Sequence, residues 1–136
     1  MISFTRAAYD EIVYQGYDGG DEEICGILAG EHGETESHVA EVYPVDNAAE
    51  TPQIRYAMDP EEQLAVTEEL EAAGHEVVGF YHSHPSGPTH PSETDADRAT
   101  WPGYSYAICA FDGYPFLGSW RWTGDEFEGE RVVVEE

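Results

Sequence analysis

Apolar and polar positions follow two periods along the chain, and the switches between them mark out helices and strands. In "SFTRAAYDEIVYQGY", Phe4, Ala8, Ile12 and Val13 fall on one stripe at helical spacing, so a helix is expected to run to the Gly19-Gly20 pair. "EICGILAGE" is a short apolar run holding two glycines, better suited to a buried strand than to a helix. "HVAEVYPVDN" alternates so that Val39, Glu41, Tyr43 and Val45 share one face of a half-buried strand, and "QIRYAM" reads as a further short strand. "MDPEEQLAVTEELEAAG" then opens a helix. Asp59 is its N-cap, Pro60 its first residue, and Glu62 completes the capping pattern; Leu64, Thr67 and Leu70 follow at helical spacing until Gly74 stops it.

"HEVVGFYHSHP" reads as a strand running to Pro85, and "SETDADRAT" as a short helix capped by Ser92. "YSYAICAF", "YPFLGSWRW" and "EFEGERVVVE" are three closing strands, with Asp112-Gly113 turning between the first two. This order predicts one α/β domain over residues 1–136, a central mixed β-sheet flanked by helices. Repeats, low-complexity tracts and linkers are absent from the sequence.

Charge changes the picture of the surface. The 136 residues carry 29 acids against 5 bases, a formal net charge of -24, and every base is an arginine. Leu, Ile, Val and Phe make up only 25 residues, which alone would suggest disorder, but nine Tyr, three Trp and well-punctuated apolar runs argue for a packed fold. An ordered pattern under a lysine-free acidic surface is the composition of a protein adapted to molar salt, where the Debye length falls to about 3 Å and self-repulsion is screened. Such a surface excludes nucleic acid and anionic membrane as partners, because both require a basic footprint. With no signal-like N-terminal segment and no membrane-length apolar run, the chain is expected in the cytoplasm. Cys25 and Cys109 lie in apolar runs and are expected as reduced core thiols.

The chemistry concentrates in "YHSHPSGPTHPSETD", residues 81–95. Alternate strand residues point to one face, so His82 and His84 aim two imidazoles at one point. Ser92 and Asp95, three apart at a helix start, also share a face. Two nitrogens and one carboxylate oxygen make three protein ligands and leave a fourth tetrahedral position for water, the layout of a catalytic rather than a structural zinc. His90 lies in the loop outside this pattern. His32, His38, His75 and Asp97 are expected to be solvated, and Trp101 and Tyr104 to belong to the core.

"GFYHSHPSGPTHPSETD" resembles the motif of the JAMM (MPN+) metalloproteases, and "EEICGILAG" resembles that family's upstream glutamate strand. The resemblance runs from the first helix through "YAICAF" and implies the JAMM/MPN-like, cytidine-deaminase-like fold. It implies one Zn2+ per chain held by His82, His84 and Asp95, with Glu23 as the catalytic glutamate and Ser92 as the motif serine. Glu22, its neighbour, would point to the other face of the strand. Zinc lowers the pKa of its bound water to about 7, Glu23 would carry the proton from water to the departing amine, and Ser92 would donate to the developing oxyanion. Ser92 is also the expected helix cap, so two roles compete for one hydroxyl.

Members of the family cut isopeptide or peptide bonds after the Gly-Gly tail of ubiquitin-like proteins. The resemblance therefore implies ubiquitin-like conjugates or sulfur carriers as partners, with "AETPQIRYAMDP" as the edge along which an extended tail would add. Two other readings stay open: a zinc hydrolase acting on a small-molecule amide, and a non-catalytic scaffold of the same fold. The ligand set weighs against the scaffold. Oligomeric state, monomer or weak homodimer, is left open by the sequence.

Overall fold

The computed structural model describes residues 1–51, 57–112 and 116–135. Among the described residues eleven elements follow one another: β1 (Ile2–Thr5), α1 (Arg6–Asp18), β2 (Cys25–Glu31), β3 (Ser37–Val45), α2 (Pro60–Ala72), β4 (Glu76–His84), α3 (Glu93–Arg98), β5 (Ser105–Ala110), β6 (Leu117–Trp122), β7 (Phe127–Glu130) and β8 (Val132–Glu135). The strands form one mixed sheet in the order β7-β6-β5-β4-β2-β3-β1-β8. β4 pairs with β5, and β1 with β3 and β8, in parallel, while the other neighbours are antiparallel. The expected α/β architecture of a central mixed sheet flanked by helices is the one observed.

Each face of the sheet carries its own core. α1 covers one, packing Ala8 and Ile12 against Phe4, Leu28, Val39, Val78 and Tyr81. On the other, Leu70 of α2 and Ala96 of α3 lie over Ile27, Ala29, Val45, Phe80, Tyr106 and Trp122. Each fully buried aliphatic side chain here contributes roughly 1.5–3 kcal/mol. Among the described residues, no helix is long and apolar enough to cross a membrane. Cys25 and Cys109 are free and buried, as expected, and burial pushes their thiols up to about 12 and about 11.

Several local expectations are corrected. Phe4 belongs to β1 rather than to the helical stripe, because Thr5 breaks the run by accepting the Ala8 N–H as the α1 N-cap. Val39 and Val45 lie on opposite faces: the β2–β3 register shifts between Ala29 and Gly30, and this bulge swaps the strand's parity. Asp59 does cap α2, taking the Glu61 and Glu62 N–H groups, but its own N–H goes to the Asp46 carbonyl, so Glu62 is not needed to complete a box. Leu64 is exposed; the inner face of α2 runs through Val66 and Leu70. "EFEGERVVVE" is two strands, not one. β7 and β8, separated by Arg131 alone, occupy opposite ends of the strand order, so the sheet curls until its edges meet, and the Arg131 carbonyl accepts the Ile2 N–H.

Most of "QIRYAM" lies outside the described residues, apart from Ala57 and Met58; Met58 forms an isolated antiparallel bridge with Asn47. The Asp112-Gly113 turn also lies partly outside them; β5 and β6 do pair antiparallel around it. The minor histidines are partnered rather than simply solvated. His38 bonds Ser3 and Glu135, His75 lies 3.9 Å from Glu41, and His32 stacks on Tyr104 with ring centroids 4.2 Å apart.

Candidate metal centre

β4 delivers the two histidines. It runs through the middle of the sheet, where both neighbours satisfy its backbone, so His82 and His84 emerge side by side at its C-terminal end on the face that carries Phe80. A turn through Gly87, at φ +122, reverses the chain, a conformation that side chains other than glycine's rarely adopt. α3 then begins beside the strand end. Ser92 and Asp95 form a reciprocal capping box: Ser92 Oγ accepts the Asp95 N–H at 3.1 Å, and Asp95 Oδ2 accepts the Ser92 N–H at 2.8 Å.

Three side-chain atoms converge. His82 Nε2, His84 Nε2 and Asp95 Oδ2 are each 3.2 Å from the other two. A tetrahedral zinc with bonds of about 2.0–2.1 Å holds neighbouring ligand atoms about 3.3 Å apart, so the triangle fits such an ion. The donor chemistry fits as well. His84 Nδ1 donates to the Pro88 carbonyl at 2.9 Å, which leaves the Nε2 lone pair facing the centre. All three residues are buried, at 1%, 8% and 9% exposure for His82, His84 and Asp95.

The electrostatics follow from this crowding. Burial pulls His82 below the ordinary histidine value, against the pull of Asp95. Burial also opposes the charge on His84, but hydrogen bonds to Asp95 and the Pro88 carbonyl, with the charges of Asp95 and Glu23, outweigh it and raise the group. Burial works to raise Asp95, yet the hydrogen bonds from both histidines hold its carboxyl well below the usual carboxylate range.

Glu23 joins the cluster from the other side. One ligand-capable atom each from Glu23, His82 and His84 lies within 4.8 Å of the others. Its side chain is buried, and Oε1 has no hydrogen-bond partner among the described residues. Burial pushes the carboxyl up to about 7; the charge of His84 lowers it and that of Asp95 raises it. Gly26 permits this approach of β2, because the Tyr81 side chain fills the space its Cβ would need, with Cζ and the hydroxyl oxygen 2.3 Å from that position. Glu22 is exposed, outside the cluster.

The expected site residues His82, His84, Asp95, Glu23 and Ser92 are therefore brought together. His90 stays at the exposed loop edge, bonded to the Pro91 carbonyl, and Asp97 is exposed, both as expected. Trp101 packs edge-on against Phe80 in the core, 5.1 Å between centroids. The competition at Ser92 dissolves: the cap uses an oxygen lone pair, while donation to a substrate oxygen would use the O–H hydrogen. The sequence reading missed Ser83, whose position between the two histidines was the available signal. It is buried on the opposite face, and its Oγ accepts the Ile24 N–H at 3.0 Å.

The chain matches the family model described as prokaryotic homologs of the JAB domain over residues 5–123. It is 44% identical over 138 residues to a desampylase of Haloferax volcanii, covering 98% of this chain and 96% of that protein. To a CysO-cysteine peptidase of Mycobacterium tuberculosis it is 38% identical over 89 residues, covering 64% of this chain and 58% of that protein. A solution structure of a Desulfitobacterium hafniense protein shares the fold with a TM-score of 0.88 at 29% identity, covering 100% of this chain and 94% of that one. The chain belongs to the family of prokaryotic homologs of the JAB domain.

Proposed function

We propose that this member of the JAB-domain family is a zinc-dependent isopeptidase that releases a small ubiquitin-like modifier from target lysines by cutting after its C-terminal Gly-Gly. One observation carries the reading: the 3.2 Å triangle of His82, His84 and Asp95, with a buried, unpartnered Glu23 oxygen beside it. The 44% identity to a desampylase over nearly the whole of both chains supports the substrate class. A single domain over residues 1–136 would hold the whole site, with one ion per chain.

His82, His84 and Asp95 would hold the zinc. When bound, it supplies Lewis acidity, making water a nucleophile near neutral pH and polarising the scissile carbonyl. Glu23 takes a proton from the attacking water at its free carboxylate oxygen and gives it to the lysine amine as the C–N bond breaks and the C–O bond forms. Ser92 keeps its cap bond to Asp95 and donates its O–H hydrogen to the carbonyl oxygen as negative charge develops. The acidic surface suits work in a salt-rich cytoplasm on protein partners rather than on nucleic acid or membrane.

The likeness to a CysO-cysteine peptidase favours a second reading, in which the same chemistry trims the tail of a sulfur carrier. The test is a paired assay in molar salt. Wild type and Glu23→Gln are loaded with zinc and offered a ubiquitin-like protein joined through Gly-Gly to a lysine, and in parallel a carrier extended beyond Gly-Gly. Cleavage of the lysine conjugate by wild type alone supports the isopeptidase. Cleavage of the extended carrier alone supports the second reading. Loss of neither activity in the variant sinks the role given to Glu23.

A further inference from the structure

One peptide unit at the centre lies outside the sheet ladder. β2 begins at Cys25, so the Glu23 carbonyl and the Ile24 N–H need partners of another kind. Each has a side chain. Asn47 Nδ2 donates to the Glu23 carbonyl at 2.8 Å, and the Ile24 N–H donates to Ser83 Oγ at 3.0 Å. The Ser83 N–H closes the arrangement by donating to the Ile24 carbonyl at 3.0 Å.

The other end of the Asn47 amide is engaged as well. Oδ1 accepts the N–H groups of Ala49 and Ala57, both at 3.0 Å. Ala48 donates to the Ala57 carbonyl at 2.7 Å, and Asn47 bridges to Met58. Two donors on one side and a carbonyl on the other leave a single orientation of the carboxamide that satisfies all three. Asn47 thus stands on a closed loop base and reaches from it to the backbone of Glu23. Among the described residues Oε1 of the Glu23 carboxyl accepts no hydrogen bond, which leaves its position to the backbone and to packing.

We propose that Asn47 is a positioning residue, its carboxamide fixing the Glu23–Ile24 peptide and so holding the Glu23 carboxyl beside His82 and His84. This rests on the reading of Glu23 as proton carrier. Asp at this position separates the two halves of the amide. It retains an acceptor for Ala49 and Ala57, loses the donor, and sets an oxygen against the Glu23 carbonyl. Outer hydrogen-bond partners of a metal site are typically worth 10–100-fold in activity.

The test uses the full chain loaded with zinc. Asn47→Asp is expected to lower kcat on the Gly-Gly–lysine conjugate by about 10–100-fold, with KM changed less than about twofold and zinc content unchanged. Amide hydrogen exchange read by NMR is expected to show Ile24 exchanging at least about tenfold faster while the β5 amides keep their protection. An unchanged kcat, or a fall no larger than the unfolded fraction, overturns the proposal, and so does unaltered exchange at Ile24. If Asn47→Asp does not fold, Asn47→Ala is judged by the same readouts. If wild type fails to cut the conjugate, the substrate reading falls, and exchange at Ile24 still decides whether Asn47 holds the peptide.

Discussion

Glu23 stands across from His84. Cys25 pairs with His82 in the antiparallel β2–β4 register, and reciprocal bonds between Ile24 and Ser83 carry that register one step further. The next step, just before β2 begins, brings the Glu23 carboxyl onto the face that holds both imidazoles. The Glu23 carboxyl and the two imidazoles are thereby positioned by one continuation of the β2–β4 register.

Glu23→Gln preserves shape and removes the ionisable oxygen. The zinc-loaded variant is expected to keep its metal and lose about 10²–10⁴-fold in kcat, the usual worth of general acid–base catalysis. Metal content and steady-state kinetics on the same preparation check this.

The metal-free protein should show the cost of burying that carboxyl. The folded-state pKa of Glu23, about 7, lies above its ordinary value of 4.5. The contribution to stability is therefore fully present below about pH 4.5 and is lost as pH rises through about 7. After allowing for solvent screening, the loss is on the order of 2 kcal/mol. Metal-free Glu23→Gln should melt several degrees above wild type at pH 8 and level with it at pH 4.5, as read by thermal unfolding at both values.

Ser92→Gly separates cap from catalysis. Glycine at an N-cap costs only a few tenths of a kcal/mol, yet it removes the O–H donor. Stability close to wild type with kcat down about 10–10³-fold is expected; full activity would leave Ser92 as a cap alone.

Asp95→Asn weakens one corner of the triangle. The amide cannot match a carboxylate held between two histidines and the Ser92 N–H. Zinc titration should show affinity falling by more than about tenfold, and the rise in melting temperature on adding zinc should shrink accordingly.

Gly26→Ala tests how closely β2 approaches the ligand strand. Its Cβ would lie 2.3 Å from Tyr81 Cζ and hydroxyl oxygen and 2.5 Å from the Tyr43 carbonyl oxygen, neither free to move within the packed sheet. Destabilisation of more than about 2 kcal/mol is expected from denaturant unfolding, with the Tyr81–Gln15 hydrogen bond disturbed.

The sequence by itself determined that His82, His84 and Asp95 converge, because spacing within one strand–loop–helix unit is a local matter. Alternation on β4 aims His82 and His84 together, and the capping box places Asp95 by contacts within four residues. It also determined the three helices and the caps Asp59 and Ser92, whose partners lie one turn away, but not the opening strand β1. The tertiary structure decided what depends on distant register. The β2–β3 bulge between Ala29 and Gly30 moved Val39 and Val45 to different faces, and curling of the sheet split "EFEGERVVVE" between its two edges. Asn47 reached Glu23 across 24 residues of chain, and Ser83 reached Ile24 across 59. A hydrogen bond between distant segments leaves no period in the sequence, because it is set by how strands pair and not by which neighbours a residue has along the chain.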